Sequence, residues 1–205
     1  NYSVKKDFSI SMDNFLLEAL KQTNQTFTHY FSNAQRKALS AVLSMKENST
    51  LVVNLPTGGG KSLCFHLSAS LFQGCCIVVA PIKALMRDQV AELSSMGFER
   101  RAVRIDSSQE RTENDQIIEK IQQKRVQFLF VSPERFQQSE FRELLTALYS
   151  RRLIGSLVVD EVHCLSEWGH DFRLSYLNLA PTVFRFLPKV PIICLTATAS
   201  LNVLR

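Results

Sequence analysis

The chain has 205 residues, of which 45% are hydrophobic and only 7 are Gly and 6 are Pro, a composition that fits one globular domain and excludes a disordered or fibrous segment. Its 24 Lys and Arg against 19 Asp and Glu give a net charge of +5, which favours polyanionic partners only weakly. No apolar run reaches the roughly 18 residues of a membrane span. The first residues do not resemble a secretory signal, so we expect no membrane association.

Residues 1–30 are predicted to form a helical extension that packs on a domain formed by residues 31–205. The extension contains an amphipathic stripe after the candidate helix caps Ser11 and Asp13. The apolar members of that stripe are Phe15, Leu16, Ala19 and Leu20.

Within the domain, apolar runs typical of buried strands alternate with segments of helical periodicity. This alternation predicts an α/β fold with a mainly parallel central sheet and helices on both faces, in which ligands bind at the carboxyl ends of the strands. In chain order the predicted elements are strand 51–55, helix 62–72, strand 76–80, helix 84–95, strand 102–105, helix 112–122, strand 128–131, helix 141–149, strand 157–159, helix 177–186 and strand 192–195.

The cysteines are interpreted as reduced core residues of an intracellular protein. They are odd in number, lie mostly inside apolar runs and form no CxxC pair with metal-ligand spacing. The five residues are Cys64, Cys75, Cys76, Cys164 and Cys194.

The segment PTGGGKS, residues 56–62, follows the first predicted strand and opens the next helix. Successive glycines let backbone amides surround one phosphate group, and a helix N-terminus adds a positive dipole. Lys61 would reach the β and γ phosphates of ATP, and the Ser62 hydroxyl would coordinate Mg²⁺. The alternative is a glycine turn that binds nothing. The predicted nucleotide-binding residues of this loop are Thr57, Gly58, Gly59, Gly60, Lys61 and Ser62.

Two adjacent carboxylates, Asp160 and Glu161, follow the predicted strand 157–159. Because Mg²⁺ prefers hard oxygen ligands, Asp160 is a candidate ligand of the nucleotide-bound metal ion. Glu161 is the candidate base that deprotonates the water attacking the γ phosphate. The alternative for this pair alone is an exposed acidic strand end. The predicted catalytic residues are Glu161, Asp160 and Lys61.

The segments LPTGGGKS, residues 55–62, and DEVH, residues 160–163, resemble those of superfamily 2 helicases. Further segments narrow the resemblance, over roughly residues 30–200, to the RecQ family of DNA helicases. It implies a RecA-like P-loop NTPase fold and makes this chain the first of two motor domains. Within FSNAQ, residues 31–35, the resemblance implies that Gln35 reads the adenine of ATP.

Other segments resemble the DNA-contacting parts of RecQ helicases. Segments 80–89 and 131–135 look like the family's contacts with single-stranded DNA, and LTATA, residues 195–199, resembles its coupling motif. The segment SEWGHDFR, residues 166–173, is similar to the aromatic-rich loop that follows the carboxylates. The residues implied to couple DNA binding to hydrolysis are His163, Trp168, His170, Phe172, Arg173, Thr196 and Thr198.

The aromatic-rich segment also has a physical interpretation of its own. Trp168 and Phe172 offer flat faces for unstacked bases, and His170 and Arg173 add cationic or hydrogen-bonding contacts. The segment starts close to Glu161, so DNA that moved it would reposition the catalytic carboxylate. Hydrolysis would then depend on DNA. The alternative is that both aromatic rings pack in the core.

The remaining histidines and basic pairs are assigned no chemistry. His29 and His66 are interpreted as packing or surface residues. The pairs at 100–101, 124–125 and 151–152, all basic, are interpreted as solvated faces.

The resemblance implies ATP hydrolysis that drives 3'-5' translocation on single-stranded DNA and unwinding of partly duplex DNA in repair or recombination. It places the protein in a bacterial cytoplasm or a eukaryotic nucleus. Because the chain begins with Asn1, we expect it to belong to a longer protein whose second RecA-like domain completes the ATP site. The alternative function is a nucleotide-gated module that binds DNA or a partner without motor activity.

Overall fold

The computed structural model describes residues 14, 16–20, 30, 32–98, 101–105, 111–162 and 170–197. The strands are β1 (Thr50–Asn54), β2 (Cys75–Val79), β3 (Ala102–Ile105), β4 (Phe128–Val131), β5 (Ile154–Val159) and β6 (Ile192–Thr196). The α-helices are α1 (Asn33–Leu43), α2 (Ser62–Leu71), α3 (Lys83–Leu93), α4 (Arg111–Gln122), α5 (Ser139–Ser150), α6 (His170–Leu177) and α7 (Leu179–Phe186). A π-helical segment, Ser94–Phe98, follows α3, and a 3-10 helix, Pro133–Gln137, follows β4.

The six strands form one sheet in the order β1-β6-β5-β2-β4-β3, and every neighbouring pair is parallel. The predicted fold class and all predicted strands are confirmed. Two helices, α1 and α6, were not predicted. The predicted helix 177–186 is α7, but it begins at Leu179, because Leu177 ends α6 and Asn178 separates the two helices. Pro181 explains the break, because it has no N–H to donate to the carbonyl of Leu177.

Helices cover both faces of the sheet, and successive strand residues point to opposite faces. On β2, Cys76 and Val78 belong to the cluster beneath α1, α2 and α3, whereas Ile77 and Val79 belong to the cluster beneath α4 to α7. The continuous burial of β2, β4 and β5 follows from this double cover and explains their unbroken apolar sequences.

The first cluster also contains Leu16 and Leu20, two members of the amphipathic stripe predicted near the start of the chain. Both are fully buried, and the described residues 16–20 are helical. The division of the chain at residue 30 stays a prediction. No helix among the described residues is long and apolar enough to cross a membrane.

The cysteines that the structure describes are free thiols, as predicted. Cys64, Cys75 and Cys76 are buried and Cys194 is half-buried. Burial raises the pKa of Cys64 to about 12 and the pKa of Cys194 to about 11, so both stay protonated and inert near neutral pH. Cys164 lies outside the described residues.

Two glycines, Gly74 and Gly155, lie where the backbone segments at the starts of β2 and β5 approach each other closely. The pairing of β2 with β5 shifts register between Cys75 and Cys76, and Gly155 is the extra residue. A Cβ on Gly155 would lie 2.7 Å from the carbonyl oxygen of Phe72. Gly74 has φ +115°, and a Cβ there would lie 2.8 Å from the backbone nitrogen of Gly155. Backbone atoms on both sides leave no room for a side chain.

Gly74→Ala is therefore expected to destabilise the domain by about 2 kcal/mol or more, because it combines backbone strain with overpacking. Urea unfolding followed by circular dichroism measures the loss. Gly58→Ala is the matched control, since Gly58 has φ +74° but no atom lies within 4 Å of the position that its methyl group would take. Equal losses in the two variants would contradict the close approach at Gly74.

His66 lies in the core on α2 and is 2% exposed, so of the two predicted roles, packing or surface, it has the packing role. His29 lies outside the described residues. The His66 ring meets Phe65 and Phe128 edge to face, with centroids 4.6 and 5.8 Å apart, and its Nδ1 accepts no hydrogen bond from the described part of the chain. Burial lowers its pKa from 6.5 to about 4.

This shift predicts a loss of stability on acidification. The unfolded chain takes up a proton at His66 near pH 6.5, whereas the folded chain does so only near pH 4. Lowering the pH through this window therefore favours unfolding by up to about 3 kcal/mol. The free energy of unfolding of His66→Leu, measured by urea titration between pH 7 and pH 4, should fall less steeply than that of the wild type. Parallel profiles would show that His66 does not carry the effect.

Candidate functional site

Three strand ends meet at one edge of the sheet because β6 lies between β1 and β5. The N–H of Leu55, just after β1, donates to the carbonyl of Thr196 at 3.1 Å. The N–H of Val162, after β5, donates to the carbonyl of Leu195 at 3.0 Å. The predicted phosphate loop and the predicted carboxylates thus lie on either side of β6. Two strand-to-strand spacings, about 10 Å in total, separate β1 from β5.

The glycines of the predicted phosphate loop each meet a backbone requirement. Gly58 and Gly60 have φ of +74° and +75°, the left-handed region that favours glycine. The N–H of Gly59 donates to the carbonyl of Pro56 at 2.9 Å, and a Cβ on Gly59 would lie 2.8 Å from that oxygen. Thr57 is exposed at the tip. The loop therefore turns tightly and leads straight into the N-terminus of α2, whose dipole attracts anions.

Lys61 lies between the loop and the carboxylates. Its Nζ donates to the carbonyl of Leu55 at 3.2 Å, across the base of the loop. Its charge also lowers the pKa of Asp160, so the ammonium group lies within electrostatic reach of that carboxyl. Ser62, the next residue, is the first residue of α2. The structure brings together the cation and the hydroxyl that the sequence predicts at the phosphates.

Asp160 is a buried carboxyl with a raised pKa. It is 6% exposed, and burial followed by the charge of Glu161 raises its pKa from 3.8 to about 6. The N–H of Glu161, Lys61 and the side chain of Gln89 each oppose that shift. The N–H of Glu161 donates to Asp160 Oδ1 at 2.9 Å. A cation that neutralised this pair would remove the main electrostatic cost of keeping both carboxylates ionised.

Glu161 adopts a left-handed backbone with φ +54°. This conformation costs a non-glycine residue about 1 kcal/mol, and such strain often accompanies functional sites. Hydrogen bonds on both sides hold it in place, because Asp160 N–H donates to Val79 and Val162 N–H donates to Leu195. The two carboxylates thus leave β5 on a sharply turned and well-anchored segment.

Gln35 reaches the phosphate loop from α1. Ser32 caps this helix by accepting the N–H of Gln35 at 3.1 Å. The Gln35 side chain is fully buried, and its Nε2 lies 3.5 Å from the carbonyl of Gly60. The structure therefore brings the predicted adenine-reading residue to the same site.

Comparison with known proteins identifies the family. A family model described as DEAD/DEAH box helicase matches residues 32–205. The chain belongs to this family. The predicted RecQ resemblance is also confirmed, since its curated relatives include the probable ATP-dependent DNA helicase RecS of Bacillus subtilis, 38% identical over 91% of this chain and 36% of that protein.

Further RecQ-like relatives match equally well. The ATP-dependent helicase wrn-1 of Caenorhabditis elegans is 39% identical over 91% of this chain and 17% of its own length. The ATP-dependent DNA helicase RecQ of Pasteurella multocida is 37% identical over 88% of this chain and 28% of its own length. The chain thus spans about a third or less of the length of these relatives.

Solved helicase structures share the fold. The DUF1998 helicase MrfA bound to DNA and AMPPNP superposes with a TM-score of 0.67 at 19% identity, over 91% of this chain and 26% of that one. The Mycobacterium smegmatis helicase Lhr bound to ssDNA and AMP-PNP gives a TM-score of 0.63 at 20% identity, over 91% of this chain and 25% of that one. The RecA-like architecture predicted for this helicase domain is confirmed.

The residues predicted to couple DNA to hydrolysis are only partly described. His163, Trp168 and Thr198 lie outside the described residues. Thr196 ends β6, is 1% exposed and accepts the N–H of Leu55, so it lies beside the phosphate loop. The predicted aromatic-rich loop needs one correction, because the chain is helical from His170 onward. Phe172 and Arg173 therefore belong to α6.

Two residues of this helicase site were not predicted. The side chain of Gln89 on α3 hydrogen-bonds to the Asp160 carboxyl. The hydroxyl of Tyr176 on α6 donates to the backbone carbonyl of Asp160 at 2.9 Å. Gln89 closes a segment that the family resemblance assigned to DNA, but nothing in the local sequence around Tyr176 indicates its contact. Both residues tie elements that were predicted to contact DNA to Asp160, the residue before Glu161.

The donor set fits a magnesium ion carried by a nucleotide. No group of three or more His, Cys, Asp and Glu among the described residues is arranged to hold a metal ion. Mg²⁺ bound to phosphates needs only one or two protein oxygens and keeps several waters. Ser62 and Asp160, on the two sides of β6, supply such oxygens.

Tyr176→Phe is expected to lower the free energy of unfolding by about 1 to 2 kcal/mol, because it leaves the Asp160 carbonyl without its donor. Tyr149→Phe is the matched control, since the half-buried Tyr149 makes no hydrogen bond through its hydroxyl within the described chain. Urea unfolding of both variants measures the difference. If the two substitutions cost the same, the hydrogen bond to Asp160 contributes nothing to stability.

Proposed function

We propose that this chain is the ATP-binding motor domain of a RecQ-like DNA helicase. One observation carries the proposal: β6 holds the glycine-rich loop with Lys61 next to the Asp160 and Glu161 carboxylates at one sheet edge. A loop that binds phosphates and a carboxylate pair that binds metal and water are the two parts that ATP hydrolysis requires. The full helicase activity would belong to the longer protein.

In this proposal the loop holds the phosphate chain of ATP. The dipole of α2 and the residues of segment 57–60 bind the phosphates, while Gln35 contacts the adenine. Lys61 would exchange its contact with the Leu55 carbonyl for the β and γ phosphates, where a charge-assisted hydrogen bond is stronger. Mg²⁺ bound to ATP would neutralise phosphate charge. Ser62 and Asp160 would hold that ion in place.

Glu161 is the proposed base. Its backbone is anchored by hydrogen bonds of the residues on either side, so its carboxylate is presented from a rigid turn. A base so placed can accept a proton from the water that attacks the γ phosphate. Lys61 and Asp160 orient the phosphates and the metal ion rather than accept the proton.

DNA binding would act on the same carboxylates. The segments 80–89 and 131–135 follow β2 and β4, so they lie along the nucleotide edge and would contact single-stranded DNA there. The contacts of Gln89 and Tyr176 with Asp160 support a coupling in which movement of α3 or α6 shifts Glu161. The relatives RecS and RecQ are named as ATP-dependent DNA helicases, which supports DNA as the strand that is bound.

The longer protein would supply what one motor domain lacks. We infer a second RecA-like domain whose arginines stabilise the charge on the γ phosphate, a contribution of about 10³ to 10⁵ in rate. This chain alone would then bind nucleotide and turn it over slowly. With that partner, hydrolysis would drive 3'-5' translocation and unwinding in DNA repair or recombination, in a bacterial cytoplasm or a eukaryotic nucleus.

Calorimetric titration of this chain with Mg²⁺-ATP and Mg²⁺-ADP tests the proposal. The wild type should bind both, and Lys61→Ala should bind each about tenfold or more weakly, because the phosphates lose a cation. Glu161→Gln is the matched control, since it keeps the loop and should bind ATP normally while abolishing turnover in the longer protein. Equal affinity of the wild type and Lys61→Ala would overturn the assignment of the loop. Preserved DNA-stimulated turnover in Glu161→Gln would overturn the assignment of Glu161 as the base, whereas a longer protein that binds ATP without any DNA-stimulated turnover would favour the module without motor activity.

A further inference from the structure

Basic residues that are far apart in sequence meet in one groove at the other edge of the sheet. The groove has a volume of about 1150 Å³ and lies where the chain enters β2, β3, β4 and β5. It takes one residue from each of the basic pairs 100–101 and 151–152, both residues of the pair 124–125, and Lys120 from α4. Its cations are Arg101, Lys120, Lys124, Arg125 and Arg152.

This groove is separate from the nucleotide site. Its residues precede the strands, whereas the phosphate loop and the carboxylates follow them. The two edges of the sheet are one strand length apart, about 15 to 20 Å. A ligand in the groove would leave Lys61 and Asp160 free to bind nucleotide.

The charge of the groove is not balanced within the described chain. Its lining contains no Asp or Glu, all five cationic side chains are exposed, and none forms an ion pair with a described residue. The C-termini of α2, α4 and α5 lie at the groove and contribute about half a negative charge each, less than the five positive charges. The groove therefore keeps a strongly positive potential.

Two of the cations extend from helix-ending turns whose backbone is fixed by hydrogen bonds. Lys124 and Arg152 have φ of +58° and +55°. The next residues close the same motif, since Arg125 N–H donates to the carbonyl of Lys120 and Leu153 N–H donates to that of Leu148. Gly is the usual residue at such a left-handed position, and a longer side chain costs about 1 kcal/mol there. The turns fix the backbone from which both side chains extend at the rim of the groove.

The lining suits a strand of nucleotides better than a single small anion. Apolar side chains from Phe72, Ile121, Val126 and Leu153 lie among the cations. Phe72 is half-buried and aromatic, and base stacking on aromatic rings accompanies phosphate contacts in single-strand sites. The volume exceeds that of one phosphate group several times.

We propose that this groove is a second nucleic-acid site that binds the phosphodiester backbone of a strand through Arg101, Lys120, Lys124, Arg125 and Arg152. It goes beyond the motor function and does not depend on ATP binding. In a helicase such a site would hold a strand away from the nucleotide edge.

The test is fluorescence anisotropy of this chain with a labelled oligothymidylate and a labelled hairpin duplex, without nucleotide. The variant Lys120→Gln, Lys124→Gln, Arg125→Gln should bind about tenfold or more weakly at low salt. The slope of log affinity against log salt should fall by about 2, since each single-strand phosphate contact contributes roughly 0.7. The control Lys37→Gln, Lys46→Gln, Lys189→Gln removes the same charge from exposed positions outside the groove and should bind like the wild type.

Lysine acetylation followed by mass spectrometry locates the bound strand. The oligonucleotide should protect Lys120 and Lys124 but not Lys46 or Lys189. Tighter binding of oligothymidylate than of the hairpin would identify a single strand as the ligand, and the reverse would identify a duplex. Equal affinities of the groove variant and the control variant, or better protection by polyglutamate than by DNA, would overturn the proposal.

The outcome is independent of the ATP site. Lys61→Ala should keep full groove binding, because it lies at the opposite edge. Loss of ATP binding with intact groove binding would refute only the motor assignment. Intact ATP binding with an unaffected groove variant would refute only the second site.

Discussion

The parallel pairing of β6 with β1 on one side and β5 on the other organises this domain. Register along both pairs sets the heights at which the strands end, with Val53 opposite Leu195 and Val159 opposite Cys194. The phosphate loop and the carboxylates therefore emerge within two residues of each other along β6, since the last paired residue of β1 faces Thr196 and that of β5 faces Cys194. A shift of one residue in either pairing would move the side chains of these strands to the opposite helical layer and change the relative position of the two halves of the site. The helices that cover the sheet add burial, but they do not set this geometry.

Four hydrogen bonds stabilise the turn that carries Asp160 and Glu161. Val79, Leu195 and Asp160 itself satisfy backbone N–H groups, and Tyr176 donates to the Asp160 carbonyl. Such bonding can retain a left-handed Glu161, whose strain is small beside the combined cost of breaking these contacts. The same contacts tie α6 and β6 to the residue before the proposed base. A motor needs this property, since binding at one surface has to change geometry at another.

The two edges of the sheet carry opposite chemistry. The carboxyl edge combines glycines, one cation and two acids, which suits a phosphate chain with a divalent ion. The amino edge combines five exposed cations with no acid in its lining. Because the strands are short, the two sites are close enough for one protein to use together and far enough apart to be occupied independently.

The sequence alone determined the fold class, all six strands, the phosphate loop and the acidic pair, because buried parallel strands leave unbroken apolar runs and tight phosphate turns require glycine. The prediction missed α1, the break at Asn178 and the helical start at His170, although the cap Ser32 and the helix-breaking Pro181 are local signals for the first two. Only the tertiary structure brought Gln89 and Tyr176 to Asp160, and only strand order gathered the separated basic pairs into one groove. Local sequence patterns determine the secondary structure that each segment favours. Contacts between residues far apart in sequence depend on which strands become neighbours in the sheet.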